Sequence, residues 1–431
     1  MAVQSAPATQ EHQEIALCAL RELFGPAFVR NFAVRLWDGT YVEAREQPPR
    51  FVFAVNDPSA LRAAIARPID LAAGRAFAAG LISIEGDLEA AVDELYAASE
   101  ALTPMRGLRI LGRLRRLPKP EMPALREASL RGRAHSRARD RQAIAFHYDL
   151  PVAFYRTFLD PELVYSCAYF DDGVETLAEA QVAKLRYLCR KLRLRAGERL
   201  LDIGCGWGSL VVEAAKSFGA NVLGITLSSV QCERARERIA EAGVADRATV
   251  ELRDYRELGD LRFDKIVSVG MFEHVGRSKL REYFDAAYRA LRPGGLFMNH
   301  GIAHQTPGLR SGRATGFMER FIFPDGELVQ ISDALGVAEA SGFEVRDVEN
   351  LREHYTRTLR AWVANLEAGE AAAIAAGGEQ AYRAWRLYLA GSAQGFRSGR
   401  LGLYQSLLAR RDAEGRVEIP PTRRDLYGAP A

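Results

Sequence analysis

Residues 199–219 read RLLDIGCGWGSLVVEAAKSFG, and this stretch sets the architecture of the chain. The apolar run RLLDI predicts a buried strand, the alternating glycines predict a tight turn, and LVVEAAKSF predicts a helix that ends at a glycine. A buried strand that leads through a glycine turn directly into a helix is typical of an α/β domain with a parallel sheet.

The same alternation of strand and helix continues along the chain. Further strands are predicted at NVLGI (221–225), ATVEL (248–252), DKIVSVG (264–270) and GLFMNHGI (295–302), and helical segments such as SVQCERARERIAEAG (229–243) separate them. This spacing predicts an α/β, doubly wound, Rossmann-like sheet. In such a sheet the ligand lies at the carboxyl ends of the strands.

The glycine turn carries the pattern G-x-G-x-G rather than the G-x-G-x-x-G of a dinucleotide site. Alternate glycines let the backbone approach a ligand closely, and an aspartate at the strand end can reach a cationic group. Together with LRPGG (291–295) before a later strand, the turn predicts a class I methyltransferase domain that binds S-adenosylmethionine. The predicted cofactor residues in this loop are Asp202, Gly204, Cys205, Gly206, Trp207 and Gly208.

Later strand ends supply further cofactor candidates. No acidic residue follows the second strand where a ribose ligand is usual, so we expect Thr226 and Gln231 to bind the ribose hydroxyls. The alternative is a capping threonine with an exposed glutamine. After the third strand, Asp254 and Tyr255 are expected to meet the adenine, as an acceptor for its amino group and an aromatic face.

Three further side chains are candidates for chemistry: Cys167 in VYSCAYF, Glu273 in MFEHVG and His300 in MNHGI. Each has an ordinary alternative, namely a core thiol, a helix cap and a satisfied histidine. Glu273 and His300 both follow parallel strands, however, so we expect them to converge at the edge of the sheet where the cofactor lies.

Six segments together resemble one known family. They are HYDLPVAFYRTFLDPELVYSCAYF (147–170), LDIGCGWGSL (201–210), GITLSSVQ (224–231), FEHVG (272–276), FIFPDGEL (321–328) and HYTRTLRAW (354–362). In this order they are similar to the motifs of the cyclopropane-fatty-acyl-phospholipid synthase family. The N-terminal domain resembles the extra domain of the bacterial phospholipid enzymes, which the shorter mycolic acid cyclopropane synthases lack.

The resemblance implies an S-adenosylmethionine-dependent C-methyltransferase. The methyl group would go to a cis double bond of an unsaturated phospholipid acyl chain, and proton loss to a bound bicarbonate would close a cyclopropane ring. Some relatives of this family instead form a methylene- or methyl-branched chain, and the sequence does not separate the two outcomes. The positions that the resemblance assigns to bicarbonate are Cys167, Glu273, His300, Tyr355 and the backbone of Ile302.

For the cofactor the resemblance adds Tyr165 and Ser166 to the loop 202–208, Thr226, Gln231 and the motif around Tyr255. A carbocation formed by methylation must be shielded from water and relieved of a proton. Aromatic faces also stabilise a cation, and the candidates are Tyr169, Phe170 and Phe317. We expect the segment 304–335 to form a lid; core packing is the alternative.

A basic segment separates two parts of different composition. Residues 106–141 hold eleven Arg and one Lys against three acids, a net charge of +9 in a chain whose total is +3. We therefore predict an N-terminal α+β accessory domain (1–105), a basic interdomain linker (106–141) and a catalytic domain (142–431). The linker sequence RGLRILGRLRRLP predicts a basic amphipathic helix in which Leu108, Leu111, Leu114 and Leu117 insert into an anionic membrane surface.

Composition sets the remaining expectations. The 431 residues contain no uncharged apolar run of about 18 residues, and the N-terminus lacks a basic start followed by an apolar stretch. We expect a cytoplasmic protein that associates peripherally with the inner face of the membrane. Five cysteines without a C-x-x-C pair indicate neither a disulfide framework nor a cysteine zinc cluster, and no metal site is predicted.

An RNA-directed protein and a non-enzymatic lipid-binding protein are the two alternative classes of function. A basic linker also suits RNA, but the fourth strand leads into Gly270-Met-Phe-Glu-His274 rather than an N-P-P-[YF]-type loop, so we expect no nucleic-acid partner. A non-enzymatic lipid-binding protein with a methyltransferase fold is the second alternative, and failure to bind S-adenosylmethionine would favour it. The sequence leaves a homodimer open.

Overall fold

The computed structural model describes residues 6–148, 150–305, 311–313 and 316–427, with only the backbone for 6–9, 311–313 and 427. The chain divides into two compact units. The first comprises Met1–Ala128, Thr315–Ile322 and Leu366–Gln394, and the second comprises Ser129–Ala314, Phe323–Asn365 and Gly395–Ala431. The first unit thus extends past the predicted domain boundary at residue 105 and takes in two later segments.

The first unit is α+β. Its four-stranded sheet has the order β2-β1-β3-β4, in which β1 and β3 are parallel and the other pairs are antiparallel. Its strands are β1 (Phe32–Arg35), β2 (Tyr41–Val42), β3 (Phe51–Val55) and β4 (Ile82–Gly86). Its helices are α1 (Ala6–Phe24), α2 (Ala60–Ala64), α3 (Ile69–Ala78), α4 (Leu88–Glu100), α5 (Pro104–Leu114), α12 (Phe317–Phe321), α15 (Glu370–Gly377) and most of α16 (Glu379–Arg397).

The start of the predicted linker is an ordered part of this unit. Thr103 caps α5, and Ile110, Leu114 and Leu117 are buried because the helix packs against α1. The prediction that Leu114 and Leu117 insert into a membrane is therefore wrong, since these side chains belong to the core of the unit. Leu108, in contrast, is 66% exposed.

One described part of the predicted lid, residues 316–322, belongs to the first unit, while residues 323–335 belong to the second. The segment includes residues 306–310 and 314–315, which lie outside the described residues. The rings of Phe317 and Phe321 stack at 5.0 Å and are buried, and Phe317 lies so close to Gly74 of α3 that a Cβ there would overlap the ring. For α12, core packing is what the structure shows.

The second unit is built on a seven-stranded sheet of order β12-β13-β9-β8-β5-β6-β7. The five strands from β9 to β7 are parallel, while β13 is antiparallel to both of its neighbours. The strands are β5 (Arg199–Ile203), β6 (Asn221–Thr226), β7 (Ala248–Leu252), β8 (Phe263–Val269), β9 (Leu291–His304), β12 (Glu344–Asn350) and β13 (Leu401–Ala409). The predicted doubly wound class I methyltransferase fold is confirmed, with β12 and β13 as additions that the sequence analysis did not identify.

Helices accompany this sheet, and a short hairpin of β10 (Ser311–Arg313) and β11 (Glu327–Val329) completes the unit. The helices are α6 (Arg137–Tyr148), α7 (Val152–Tyr155), α8 (Leu177–Lys191), α9 (Ser209–Phe218), α10 (Ser229–Glu241), α11 (Leu280–Ala290), α13 (Ile331–Ala340), α14 (Arg352–Ala368) and α17 (Arg424–Tyr427). Single 3-10 turns lie at Tyr255–Glu257, Phe272–His274 and Arg277–Lys279.

The strand order decides where a ligand can bind. The chain leaves β5 towards β6 on one side and β8 on the other, which makes the carboxyl end of β5 a topological switch point. The glycine turn, the end of β6 and the end of β8 therefore meet at one edge. Among the described residues no helix is long and apolar enough to cross a membrane, and all five cysteines are free.

Candidate active site

A cleft opens at this edge of the second unit. It encloses about 860 Å³ including its open mouth. Five of the predicted cofactor residues line it, together with backbone and side chains from the ends of β5, β6 and β8 and from α6. The five are Gly204, Gly206, Thr226, Gln231 and Tyr255.

The glycine turn is shaped for close approach by a ligand. The amides of Gly204 and Cys205 both donate to Ile225 O, at 2.9 and 3.0 Å, which ties the turn to the end of β6. Gly206 adopts a φ of +54°, and nothing lies within 4 Å of the position of a Cβ there. A non-glycine residue would be strained in this conformation and would fill the space that the turn leaves open. Gly208 precedes α9 with a φ of +84°.

Thr226 and Gln231 form one polar pair on the cleft wall. Thr226 Oγ1 donates to Gln231 Oε1 at 2.8 Å, and both residues are buried. The alternative of a capping threonine is wrong, because Ser228 caps α10 by accepting from the Gln231 amide. Both polar side chains are thus fixed at the cleft wall.

Asp254 and Tyr255 occupy different places. Tyr255 lines the cleft, and burial raises the pKa of its phenol, which stays protonated. Asp254 is not among the cleft-lining residues. Its carboxylate accepts from Arg256 Nε at 2.8 Å, and Arg256 also binds Asp140 of α6 at 2.9 Å. Asp254 therefore holds Arg256, which itself lines the cleft.

A buried charge cluster lies behind the glycine turn. Asp202 is 2% exposed, and burial raises the pKa of its carboxyl to about 7, although the positive charge of Lys184 opposes the shift. Burial also lowers the pKa of Lys184 to about 8. Lys184 Nζ donates to Ser166 Oγ at 2.8 Å. Asp202 and Ser166 are thus linked through one lysine rather than facing the cleft directly.

Aromatic rings join the cleft to the predicted residue Tyr165. Tyr148, which lines the cleft, lies 6.0 Å from Trp207, and its ring centre is 6.3 Å from that of Tyr165. Tyr165 packs in turn against Trp362 at 5.3 Å. The Nε1 donor of Trp207 is buried and has no hydrogen-bond partner among the described residues. The cluster therefore forms an aromatic surface beside the cleft, in which the Trp207 Nε1–H is a donor without a partner among the described residues.

A second group of residues lies beyond the turn at the end of β8. The ladder between β8 and β9 ends where Val269 pairs with His300, and the amide of Gly270 donates to His300 O at 2.9 Å. One step further, the Ile302 amide donates to Glu273 Oε1 at 2.7 Å. Beyond the end of β8, Glu273 thus accepts the hydrogen bond that a strand neighbour would otherwise accept from β9. Gly301 permits this arrangement because a Cβ there would overlap the ring of Phe272.

Cys167 and Tyr355 both contact the carbonyl of Leu351, which lies next to β13. The Cys167 thiol lies 3.9 Å from Leu351 O, to which the Tyr355 amide donates at 3.0 Å. The Leu351 amide donates to the carbonyl of Leu403, the strand partner of Ile302. These contacts link all five predicted bicarbonate positions to β9 and its neighbour β13.

The side chains of Cys167, Glu273 and His300, here called the inner group, are buried, and burial determines their protonation states. Burial raises the pKa of Glu273 to about 7, and that of the Cys167 thiol well above its ordinary value. Burial first, and then the charges of Lys184 and Lys191, hold the pKa of His300 well below its ordinary value. At neutral pH the histidine is therefore neutral, the thiol is protonated and the glutamate is protonated in about half of the molecules.

Two atoms of this group are buried and unpaired. Glu273 Oε2 and His300 Nε2 have no hydrogen-bond partner in the part of the chain that the structure describes. Buried polar atoms are almost always satisfied, so both atoms are available to a polar ligand or a water molecule. The Ile302 amide is already used by Glu273, so the free polar atoms here belong to side chains.

The aromatic residues suggested for cation stabilisation are occupied. Tyr169 stacks on Tyr187 at 4.4 Å and on His354 at 4.7 Å, and the guanidinium of Arg357 lies 4.0 Å from the centre of the Phe170 ring. Phe317 is buried in the first unit. The rings of Tyr165 and Trp207 pack beside that of Tyr148, which lines the cleft.

Three buried polar residues that contact the predicted site were not among the predicted residues: Lys184, Lys191 and Gln405. The two lysines share the buried face of α8 with Leu188, at helical spacings of four and three residues. Gln405 stands in the middle of the apolar strand LGLYQSLLA. A charged or amide side chain on an otherwise apolar face was the available signal, since such residues are rarely buried without a partner.

Comparisons with known proteins give matches over most of the chain. Residues 135–406 match the mycolic acid cyclopropane synthetase family, and residues 19–105 match a family described as a domain of unknown function. A "probable fatty acid methyltransferase" of Pseudomonas putida is 41% identical over 397 residues, which cover 91% of this chain and 95% of that protein. Cyclopropane mycolic acid synthase 1 of Mycobacterium tuberculosis is 37% identical over 60% of this chain and 93% of its own.

Solved structures give the same result. The mycolic acid cyclopropane synthase CmaA1 complexed with SAH and CTAB matches with a TM-score of 0.59 and 35% identity, over 62% of this chain and 97% of that chain. The cyclopropane synthase MmaA2 from Mycobacterium tuberculosis matches with the same TM-score and identity, over 62% of this chain and 98% of that one.

Proposed function

Because this chain belongs to the mycolic acid cyclopropane synthetase family and is an S-adenosylmethionine-dependent methyltransferase, we propose that it methylates a cis double bond in the acyl chains of unsaturated phospholipids. Proton loss then closes a cyclopropane ring. The names of two relatives support a fatty acyl substrate, and CTAB, found with one structural neighbour, is a long-chain alkyl detergent.

The observation that carries this proposal is the pair of unpartnered atoms on Glu273 and His300. They fit a small oxyanion such as bicarbonate, because Glu273 with its proton and the neutral imidazole can each donate one hydrogen bond. The thiol of Cys167 and the phenol of Tyr355 would complete the site. Since the pKa of Glu273 is raised to about 7, a negative ligand is not repelled by a fixed carboxylate.

When bound, S-adenosylmethionine supplies an electrophilic methyl group and bicarbonate supplies a base. The chain itself has four tasks. The glycine turn and the pair Thr226 and Gln231 bind and orient the methyl donor. The aromatic wall excludes water, so that the cationic acyl chain is not hydrolysed. Glu273 and His300 would hold the base, and the C–H electron pair left by proton loss would close the ring.

The alternative product is a methylene- or methyl-branched chain without a ring. Formation of the ring or of a methylene branch adds one CH₂, so mass does not distinguish them. We would incubate the protein with S-adenosylmethionine, bicarbonate and vesicles of a cis-monounsaturated phospholipid, and record proton NMR spectra of the extracted lipid. Shielded cyclopropyl protons are expected. Vinylidene or branched-methyl signals in their place would contradict ring formation.

The substrate lies in a membrane, so a docking surface is required, and α5 of the first unit is our candidate. Its outer face carries the exposed apolar side chains Met105 and Leu108. Arg109 and Arg113 lie beside Glu22 but remain 58% and 46% exposed. Each basic side chain near an anionic surface contributes about 1 kcal/mol. A few exposed arginines with two apolar side chains suit reversible binding to anionic lipid.

Vesicle co-sedimentation tests the docking surface. The double variant Met105→Glu with Leu108→Glu should weaken binding to anionic vesicles, with S-adenosylmethionine affinity unchanged. Ile69→Glu is the matched control, because Ile69 is 56% exposed but lies outside α5. Binding by the wild type that ignores lipid charge and salt would remove α5 from this role.

A further inference from the structure

We propose that Lys191 and Gln405 are positioning residues that fix the tautomer of His300, so that its Nε2 carries the proton and donates to the bound anion. This inference rests on the proposed function for its catalytic meaning. The hydrogen bonds on which it stands belong to the protein alone.

Gln405 lies directly opposite His300 in the sheet. The two are register partners on the antiparallel strands β13 and β9, and both are almost fully buried. Directly opposed residues on one face of an antiparallel pair are close enough to interact. Here Gln405 Nε2 lies 3.2 Å from His300 Nδ1.

Lys191 determines which end of the Gln405 amide faces the histidine. Its Nζ donates to Gln405 Oε1 at 2.9 Å, and an ammonium group has no acceptor. The amide oxygen must therefore face Lys191, which leaves the NH₂ group for His300. An NH₂ group only donates, so His300 Nδ1 must accept and the single proton of the neutral ring lies on Nε2. This conclusion follows from donor chemistry and does not depend on how the amide atoms were assigned.

Lys191 is itself held in place by acidic side chains of β12. It forms a short ion pair with Glu349, and Asp347 lies 3.9 Å away. Tyr187 also donates to Glu349 at 3.0 Å, and its ring lies 4.7 Å from the Lys191 ammonium. Burial lowers the pKa of Lys191, and the two carboxylates oppose that shift. The carboxylates thus favour the charged lysine, which cannot accept a hydrogen bond.

The tautomer matters for an anion. With the proton on Nε2, the unpartnered nitrogen donates to an anionic oxygen. With the proton on Nδ1, the same nitrogen would present a lone pair to that oxygen and repel it. The hydrogen-bond chain from Glu349 through Lys191 and Gln405 therefore determines whether His300 Nε2 attracts or repels an anion.

Nitrogen-15 NMR of histidine-labelled protein tests the tautomer directly. The chain has seven histidines, so the His300→Ala variant identifies the signals of His300. We expect a protonated Nε2 and an unprotonated Nδ1 in the wild type. A protonated Nδ1 would overturn the proposal. This readout needs no turnover, so it stands even if the lipid product differs from the proposed one.

The variant Gln405→Glu tests the role in catalysis. Its carboxylate still accepts from Lys191 but now also accepts from His300, so the proton should move to Nδ1 and turnover should fall about 10²-fold. Affinity for S-adenosylmethionine should be unchanged. Ser406→Ala is the matched control, because Ser406 is equally buried on the opposite face of β13 and should keep wild-type turnover and tautomer.

A double variant separates positioning from a structural effect. In a His300→Ala background, Gln405→Glu should cause no further loss of turnover, because its effect passes through the imidazole. A further loss of similar size would refute the proposal. If the wild type shows the expected tautomer but forms no cyclopropane lipid, the proposed function fails while the assignment of the tautomer survives.

Discussion

The cleft and the inner group around Glu273 lie on two sides of one short turn, Gly270–His274, yet they differ in burial and in hydrogen-bond pairing. His274, Met271 and Gly270 line the cleft, while Glu273 binds the Ile302 amide. In the cleft, Thr226 and Gln231 already pair with each other. In the inner group, two buried atoms are left without partners. The polar pair of the cleft is thus satisfied within the protein, whereas Glu273 and His300 each keep one buried atom without a partner among the described residues.

The largest expected effect concerns the cleft. Gly206→Val should abolish detectable S-adenosylmethionine binding, because the side chain fills the open space at the turn and is strained at a φ of +54°. Calorimetry measures the affinity, and circular dichroism reports the fold.

Gly259→Val is the matched control for that variant. Gly259 has a φ of +56° and open surroundings, but it does not line the cleft. The control should carry the same backbone strain and still bind the cofactor. Equal loss of binding in both variants would mean that strain, rather than the cleft, explains the result.

The next largest effect concerns the inner group. Glu273→Gln and His300→Ala should lower turnover by about 2 to 4 kcal/mol of transition-state stabilisation, while cofactor affinity stays unchanged. The glutamine keeps a donor but cannot exchange a proton with the anion. Turnover is measured on unsaturated phospholipid vesicles.

Asp264→Asn is the control for these two variants. Asp264 also accepts a backbone amide, that of Arg199, at 2.8 Å, but it lies at the opposite end of β8. It should react at the wild-type rate. Wild-type turnover in Glu273→Gln or His300→Ala would remove that residue from the proposed anion site.

The dry environment of Glu273 also predicts a pH dependence of stability. Its pKa is raised to about 7 by burial, so the folded chain holds a proton that the unfolded chain loses near pH 4.5. Between these values the folded state binds more protons, and the free energy of unfolding therefore falls as pH rises. Asp202 acts in the same direction.

Glu273→Gln should reduce this slope, because the amide does not titrate. Denaturant unfolding of the wild type and the variant at pH values from about 5 to 8 measures it. Identical slopes would show that Glu273 is solvated in the folded protein, contrary to the proposed dry pocket.

The smallest effect is expected at Cys167. Its thiol stays protonated because burial raises its pKa, so it acts as a donor and not as a nucleophile. Cys167→Ser should therefore lower turnover only a few-fold, since a hydroxyl also donates. Cys189→Ser, at an equally buried thiol in the core, controls for the added polarity. A dead Cys167→Ser variant beside an active control would instead indicate a covalent role.

The sequence by itself determined the elements that depend on local pattern. The stretch 199–219 folds as predicted, because apolar strand residues, glycines with positive φ and a helix-ending glycine act within a few residues of each other. It also brought Glu273 and His300 to the carboxyl end of β8, but the prediction that His300 follows its strand is wrong, because β9 continues to His304. The motif order identified the family, because family motifs are read from the chain itself.

Only the tertiary structure decided which of these residues line the cleft and which lie behind it. Asp254 looked like an adenine ligand but binds Arg256, and Leu114 and Leu117 looked like a membrane anchor but are buried. The chain from Lys191 through Gln405 to His300 joins residues 214 and 105 positions apart. No local pattern encodes such contacts, because they form only when the sheet brings β13 beside β9 and α8 packs Lys191 against Gln405.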